Sequence, residues 1–318
     1  MLAVVPLRKY EENSWIGANL TYYGFFVATS QLIAVGLLLV LLGSIQVPLI
    51  AIGWIVLFIL IFALPAARLV AIVVEKKRHT FTVGGASFVG ILVAPWAIQA
   101  VFLYTGESGD AFATVSVLAA LSIAYTLGEG LGRLGCLSYG CCYGKALKDC
   151  SPSIQWLFKR TGLIFYGSLK KVTYEAQLEG ERLIPIQALT SIVYTAGALL
   201  GTYLFLHSLY HWALIFTISL TQLWRIFSET LRADFRGFSK ISAYQKMGLA
   251  SVIYIVCLIP FFQDPFLLHP EILLGLQSLW QPAVILSLQL LWIVFFIIFG
   301  RSTITSANIS FQLSKHRI

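Results

Sequence analysis

The chain has 318 residues, of which 58% are hydrophobic and 11% are charged, and its mean hydropathy is +0.83. A soluble domain carries about 25% charged residues, so this composition excludes a soluble enzyme, and it also excludes a disordered chain. The apolar runs are far too long for the alternating strands of an outer-membrane barrel. The composition therefore predicts an all-α, polytopic helical membrane protein, with residues 1–318 in a single integral membrane domain.

Eight apolar runs follow one another along the chain. Each is long enough to be a membrane-spanning helix, because a span needs about 20 residues whose backbone groups bond internally. Residues 25–74 contain only one formally charged residue, Arg68, and have room for two spans. The predicted spans are 25–42, 48–74, 86–104, 111–127, 187–206, 212–227, 247–262 and 282–299.

Basic residues fall on only one side when the loops are assigned to alternate faces of these spans. One face holds every Lys and Arg outside or bordering the spans, including residues 129–186, the only polar segment large enough for a small extramembrane head. The opposite loops hold Glu107, Asp110, Asp264 and Glu271, without Lys or Arg. The positive-inside rule favours a cytoplasmic basic face, but a face that binds anionic lipid has the same charge pattern, so charge leaves the orientation open.

The net charge of +8 accompanies no nucleic-acid-binding motif. Because the basic residues line a membrane face, the expected partner is anionic membrane lipid, and no nucleic acid is expected.

A glycine-rich stretch follows the fourth span. Residues 128–145 contain six glycines together with Glu129, Arg133 and Cys136. Glycines leave backbone amides uncovered, and Arg133 presents a planar fork of donors, so the stretch is a candidate phosphate cradle. The alternative is a glycine-rich helix end that packs tightly against its neighbours.

A second group of charges, Arg225, Glu229 and Arg232, closes the sixth span. Arg225 and Glu229 are four residues apart and therefore share a helix face, and Arg232 lies three residues further on. A guanidinium oriented by a carboxylate suits a lipid phosphate. The alternative is an interfacial ion-pair ladder that sets the depth of the helix.

These two motifs and four others resemble, in the same order, the motifs of prolipoprotein diacylglyceryl transferase, a membrane enzyme that begins bacterial lipoprotein maturation. The resemblance implies a multi-pass protein of the bacterial plasma membrane with seven spans, so residues 264–318 are expected to be a C-terminal extension with one extra span. The residues that carry the resemblance are Tyr22-Tyr23-Gly24, Ala67-Arg68-Leu69, Gly84-Gly85-Ala86-Ser87-Phe88, Gly132-Arg133-Leu134-Gly135 followed by Gly140 and Gly144, Pro185-Ile186-Gln187, and the segment from Arg225 to Arg232.

The resemblance implies a reaction that needs no cofactor or metal. The diacylglyceryl group of phosphatidylglycerol would move to the thiol of a cysteine in a prolipoprotein signal peptide, or to a related acceptor, and glycerol phosphate would leave. The expected catalytic residues are Arg133, Arg225, Glu229 and Tyr23, since two guanidiniums stabilise charge on phosphate and Glu229 would orient one of them. Residues expected to bind substrate are Arg68, Ser87, Gly132, Gly135, Gly144, Gln187 and Arg232.

One departure from the family concerns proton transfer from the acceptor thiol. The position of the family's histidine is Val89, which cannot accept a proton. The acceptor therefore stays open. Candidates for an active thiol or a replacement base are Cys136, Cys141, His79 and Glu129.

Four of the five cysteines, Cys136, Cys141, Cys142 and Cys150, fall within fifteen residues. Their spacing fits poorly with the two Cys-x(2–4)-Cys pairs of a structural zinc site. Disulfides between Cys142 and Cys150 or between Cys136 and Cys141 are expected in an oxidising compartment. In a reducing one, these residues would be packing thiols or an activated nucleophile.

Two other functions compete with the transferase. One is a non-catalytic relative that binds anionic phospholipid through the same arginines, and the other is a thiol redox membrane protein that uses the cysteines. The family resemblance places the glycine-rich face outside the cytoplasm, which is opposite to the positive-inside rule.

Overall fold

The computed structural model describes residues 3–11, 14–76, 82–105, 114–234, 241–262 and 269–302. Its described part is predominantly helical, and the predicted all-α, polytopic architecture is confirmed. The α-helices of this part are α1 (Tyr22–Ser44), α2 (Leu49–Val70), α3 (Val83–Thr105), α4 (Thr114–Tyr139), α5 (Pro152–Phe158), α6 (Lys171–Ala176), α7 (Ile186–Leu206), α8 (Tyr210–Glu229), α9 (Ala243–Leu258), α10 (Ile272–Leu279) and α11 (Pro282–Gly300).

Seven helices of the described chain are long and apolar enough to cross a membrane. They coincide with seven of the eight predicted spans, and two of them are lengthened by other helical turns. A π-helical turn, Ala71–Glu75, extends α2, and a 3₁₀ turn, Ile259–Phe261, extends α9. The seven spans are Tyr22–Ser44, Leu49–Glu75, Val83–Thr105, Thr114–Tyr139, Ile186–Leu206, Ala243–Phe261 and Pro282–Gly300.

The remaining predicted span, 212–227, is helix α8, which is less apolar than the other seven. Its buried face carries polar side chains, among them Thr217, Gln222 and Arg225. It nevertheless runs antiparallel beside α7 over that helix's whole length. The rings of Phe205 and Tyr210 lie 4.9 Å apart at one end, and Trp224 donates a 3.0 Å hydrogen bond to Thr190 at the other. Its 20 residues reach about 30 Å, the thickness of a bilayer core.

Helix α4 extends well beyond the predicted end of the fourth span at residue 127, as far as Tyr139. The glycines of this stretch stay helical because neighbouring helices pack closely against them. A side chain at Gly130 would come within 2.8 Å of Tyr194 in α7, and one at Gly135 within 3.2 Å of the backbone oxygen of Tyr23 in α1. The predicted backbone cradle is therefore wrong for Gly128 to Gly135, whose amides belong to the helix, and the alternative of tight helix packing holds.

The segment between α4 and α7 forms a small folded unit. It lies at the membrane face where α4 ends and α7 begins. Strands β3 (Leu163–Ile164) and β4 (Arg182–Leu183) pair in an antiparallel ladder beside a 3₁₀ turn, Leu147–Asp149, and the short helices α5 and α6. Its interior is a separate cluster of buried residues that the larger transmembrane core does not include: Tyr143, Ala146, Phe165, Val172 and Leu183.

The extra C-terminal span has a partner in the first. Helix α11 packs along α1, and Thr21 donates a side-chain hydrogen bond of 3.0 Å to the backbone oxygen of Gly300. Strand β5 (Arg301–Ser302) then pairs with β2 (Ser14–Leu20), which forms an antiparallel hairpin with β1 (Ala3–Glu11). Both described ends of the chain therefore lie on the same side as the small folded unit.

Candidate active site

A cavity of about 720 Å³ opens among the helices at the side of the small folded unit. It follows α1 from Tyr23 to Leu38, a distance of about 22 Å along the helix axis. Its two regions differ in chemistry. Charged and polar side chains of α4, α7 and α8 line one region, including Arg133, Gln187 and Arg225. The other region is apolar and is lined by Val35, Leu38, Val56, Ile59 and Leu60, whereas Phe295 and Phe299 of α11 line the cavity beside the first turns of α1.

Glu129 lies at the centre of the charged region and joins the two predicted phosphate-binding arginines. One carboxylate oxygen is paired with Arg133, and the other accepts from Arg225 at 2.6 Å. Tyr125 donates its hydroxyl to the same carboxylate and accepts from Arg225 at 2.8 Å. Glu129 and Arg225 are nearly fully buried, with side-chain exposures of 4% and 9%. Two guanidiniums therefore share one carboxylate, which leaves one unit of positive charge.

Ser87 completes the surroundings of Arg225. It accepts a 3.1 Å hydrogen bond from Nη1 of that arginine and donates one to the backbone oxygen of Gly84. The serine expected to bind substrate therefore holds an arginine in place.

Three buried polar atoms of this region have no hydrogen-bond partner among the described residues. Two are the Nε atoms of Arg133 and Arg225, and the third is Oε1 of Gln187. Nε2 of Gln187 is bonded to the backbone oxygen of Cys141 at 2.9 Å. A buried polar group without a partner costs about 1–3 kcal/mol, so a ligand that supplied an acceptor to the arginines and a donor to the glutamine would be favoured.

Arg232 lines the cavity beyond the end of α8. It donates two hydrogen bonds of 2.7 Å to Asp234, one to each carboxylate oxygen, and lies 4.0 Å from Glu229. Burial disfavours the charged guanidinium, but the charges of Cys142 and Asp234 outweigh it and raise the pKa of Arg232 above its ordinary value. Glu229, expected to orient an arginine, is thus paired with Arg232, whereas Arg225 is bound to Glu129.

Tyr23, Gly132 and Gly135 lie together where α1 crosses α4. Tyr23 lines the cavity, and its ring centroid is 5.8 Å from that of Tyr139. Gly132 also lines the cavity and leaves space there, and Gly135 allows Tyr23 to approach α4 closely. The fold therefore brings these three predicted site residues together, two of them at the cavity wall.

Other predicted site residues lie elsewhere. Arg68 is exposed in the last turn of α2 and does not line the cavity. Gly144 packs against Ile184, whose backbone oxygen would be 2.5 Å from a side chain there, so this glycine serves the small folded unit rather than contact with the lipid. Val89 lies in α3 outside the cavity lining. His79 lies outside the described residues.

Three cysteines form a cluster at the end of α4 and line the cavity: Cys136, Cys141 and Cys142. The helix ends at Tyr139, and Gly140 turns the chain with a φ of +74°, so that the amides of Gly140 and Cys141 bond back to the oxygen of Cys136. This turn brings all three sulfurs within 4.8 Å of one another, with 4.0 Å between Cys136 and Cys142.

The cluster is electrostatically uneven. Hydrogen bonds from Cys136 and Cys141, helped by the charges of Arg232 and Arg133, hold the pKa of the Cys142 thiol well below its ordinary value. Hydrogen bonds with Cys136 and Cys142, together with burial, raise the pKa of Cys141. All five cysteines are free thiols, and Cys150 donates to the oxygen of Ala146, so neither predicted disulfide is formed.

The sequence analysis missed Tyr125 and assigned Glu129 a different role from the one that its contacts indicate. Tyr125 has no local signal that sets it apart from other aromatic residues of the spans. The pairing of Glu129 with Arg133 could have been found, because residues four apart face each other on a helix. The contact of Glu129 with Arg225 joins residues 96 positions apart and appears only in the folded chain.

Comparison with known families identifies the chain. The family model described as prolipoprotein diacylglyceryl transferase matches residues 14–261, which run from β2 to the end of the 3₁₀ turn after α9. A search of curated proteins finds no match. The family match covers well over half of the chain and includes every helix that contributes a charged residue to the cavity. This multi-pass membrane protein therefore belongs to the prolipoprotein diacylglyceryl transferase family, a family of transferases that act in lipoprotein biosynthesis.

Proposed function

We propose that the protein transfers the diacylglyceryl group of phosphatidylglycerol to a thiol, with a prolipoprotein signal peptide as the acceptor, and releases glycerol phosphate. The observation that carries this proposal is the pair of buried guanidiniums, Arg133 and Arg225, bound to a single carboxylate. Their excess of one positive charge complements the single negative charge of a phosphodiester. The two unpartnered Nε atoms supply donors for its oxygens.

The two regions of the cavity match the two parts of a phospholipid. The charged region suits the headgroup, and the apolar region suits the acyl chains. The unpartnered oxygen of Gln187 can accept a hydroxyl of the headgroup glycerol. That donor is present in phosphatidylglycerol and absent from phosphatidylcholine, which supports phosphatidylglycerol as the donor lipid.

The arginines have a direct chemical role in this reaction. The acceptor sulfur attacks the terminal glycerol carbon of the diacylglyceryl group, a C–S bond forms, and the C–O bond to phosphate breaks. The electron pair of that bond passes to the phosphate oxygen, and the thiol proton leaves on phosphate or water. Negative charge therefore accumulates on the departing glycerol phosphate, where fixed guanidiniums stabilise it more strongly than they stabilise the diester.

The test uses the full chain in vesicles with a lipobox peptide, and mass spectrometry to follow the peptide. We expect a diacylglyceryl mass gain with phosphatidylglycerol and none with phosphatidylcholine. Arg133→Ala and Arg225→Ala should each lower the rate about 10²–10³-fold, the usual loss when one donor to a developing anion is removed. Arg160→Ala, which removes an exposed arginine of the small folded unit, is the matched control and should keep the rate.

Two results would contradict the proposal. Unchanged rates in both cavity variants would remove the arginines from the reaction. Saturable binding of phosphatidylglycerol by the wild-type protein, with neither peptide product nor glycerol phosphate, would instead favour a non-catalytic lipid-binding protein.

A further inference from the structure

The cysteine cluster has the dimensions of a metal site. In tetrahedral coordination with Zn–S bonds of about 2.3 Å, two sulfurs lie about 3.8 Å apart. Cys136 and Cys142 are 4.0 Å apart, and all three sulfurs lie within 4.8 Å of one another. Small adjustments of side-chain rotamers would therefore close the cluster around an ion.

The cluster offers three ligands and one side open to the cavity. No fourth Cys, His, Asp or Glu joins the group in the part of the chain that the structure describes. Structural zinc sites are closed by four protein ligands, whereas catalytic sites use three and leave the fourth position for water or substrate. All three cysteines line the cavity that is proposed to hold the reactants.

The charges near the cluster favour a Zn²⁺ ion bound by three thiolates. Three thiolates and one Zn²⁺ carry a net charge of −1. The guanidiniums of Arg133 and Arg232 line the same cavity and interact with Cys142. The positive charge of nearby guanidiniums stabilises such an anionic centre, and thiolate ligands select Zn²⁺ over hard cations such as Mg²⁺.

We propose that Cys136, Cys141 and Cys142 bind Zn²⁺, and that the open fourth position takes the acceptor thiol. This inference rests on the proposed function. It accounts for deprotonation of the acceptor thiol, for which Val89 cannot serve as the base. A thiol that coordinates the metal gives up its proton, which passes to water, and the resulting metal-bound thiolate is the nucleophile. The sulfur then forms the C–S bond as glycerol phosphate leaves, with no change in oxidation state.

The first test measures metal content. Purified full-length protein, reduced and dialysed against Zn²⁺, should hold an equimolar amount. Cys136→Ser, Cys141→Ser and Cys142→Ser should each weaken Zn²⁺ binding more than about 100-fold, since even changes in outer-shell partners cost 10–100-fold. Cys150→Ser and Cys257→Ser are matched controls outside the cluster and should keep the metal. Thermal unfolding of each variant in detergent shows whether it remains folded.

The second test asks what occupies the fourth position. With Co²⁺ in place of Zn²⁺, the lipobox peptide should change the absorption spectrum of the metal, and the same peptide with serine for cysteine should not. No phospholipid is needed, so this readout is independent of the transfer reaction.

The outcomes separate the two proposals. Metal binding that survives in the folded cluster variants would overturn the zinc site, as would a Cys136–Cys142 disulfide in the protein as isolated from cells. Unchanged transfer by protein stripped of metal would reject the inference and keep the transferase. A metal site that responds to the peptide thiol, in a protein that never transfers diacylglyceryl, would keep the zinc site and reject the transferase.

Discussion

Glu129 decides how Arg133 and Arg225, the two arginines proposed to bind phosphate, are held. Sequence reasoning considered it as a base for the acceptor thiol, but its two oxygens are bonded to Arg133, Arg225 and Tyr125. A carboxylate with these partners has little capacity to take a proton from a substrate. We infer that Glu129 positions the guanidiniums and screens their mutual repulsion.

This role predicts a large loss of stability in Glu129→Gln. The change leaves two buried guanidiniums without their carboxylate, and removal of one partner from a buried ion pair costs about 3–5 kcal/mol. Thermal unfolding in detergent should show a clearly lower midpoint. Glu181→Gln is the matched control, because its ion pair with Lys148 is exposed on both sides and such pairs contribute about 0–1 kcal/mol. Equal midpoints for the two variants would contradict the positioning role.

At the scale of helices, the crossing of α1 and α11 depends on two glycines. A side chain at Gly24 would lie 2.0 Å from the Cα of Gly300, so the two backbones are in direct contact. Helix α11 lies beyond the part of the chain that matches the family, yet its Phe295 and Phe299 line the cavity. The extra span is thus part of the wall of the site.

We expect Gly24→Ala to separate these helices. The added methyl group meets rigid backbone, so α11 must shift, and both the unfolding midpoint and the transfer rate should fall. Gly36→Ala in the same helix is the matched control, because no other described part of the chain comes within 4 Å of the new methyl group. That variant should be as stable as the wild type or slightly more stable, since alanine favours a helix over glycine by about 1 kcal/mol. If the two variants unfolded alike, close contact of the backbones would be unimportant.

At the scale of the molecule, the groups that line the cavity's charged region gather toward one membrane face. The ends of α1, α4 and α8 meet there, the small folded unit covers the same face, and α11 returns to it at Gly300. The described basic residues of the predicted basic face, such as Lys145, Arg160 and Lys246, lie on this side. A cavity that binds phosphate requires arginines there whichever way the protein is inserted, and for that reason the positive-inside count is a poor guide to orientation.

We predict that this face lies outside the cytoplasm, as the family resemblance implies. In a background with the five cysteines replaced by serine, Ser153→Cys marks the small folded unit and His211→Cys marks the opposite end of α8, and both sites are exposed. An impermeant maleimide should label only Ser153→Cys in intact cells and both variants in detergent extracts. Labelling of His211→Cys alone in intact cells would place the cavity at the cytoplasmic face.

The sequence by itself determined the membrane class, the positions of eight helices and the arginine motifs, because each is a property of local hydropathy or of residues close together in the chain. The sequence did not predict the full extent of α4, because glycines such as Gly130 and Gly135 disfavour a helix locally. They are helical here because α1 and α7 pack against them. Only the tertiary structure paired Glu129 with Arg225 and excluded Arg68 from the cavity. It also gathered three sulfurs whose spacing along the chain argued against a metal site. These features depend on contacts between distant helices or on a turn with positive φ. Neither hydropathy nor motif spacing predicts such contacts or such a turn.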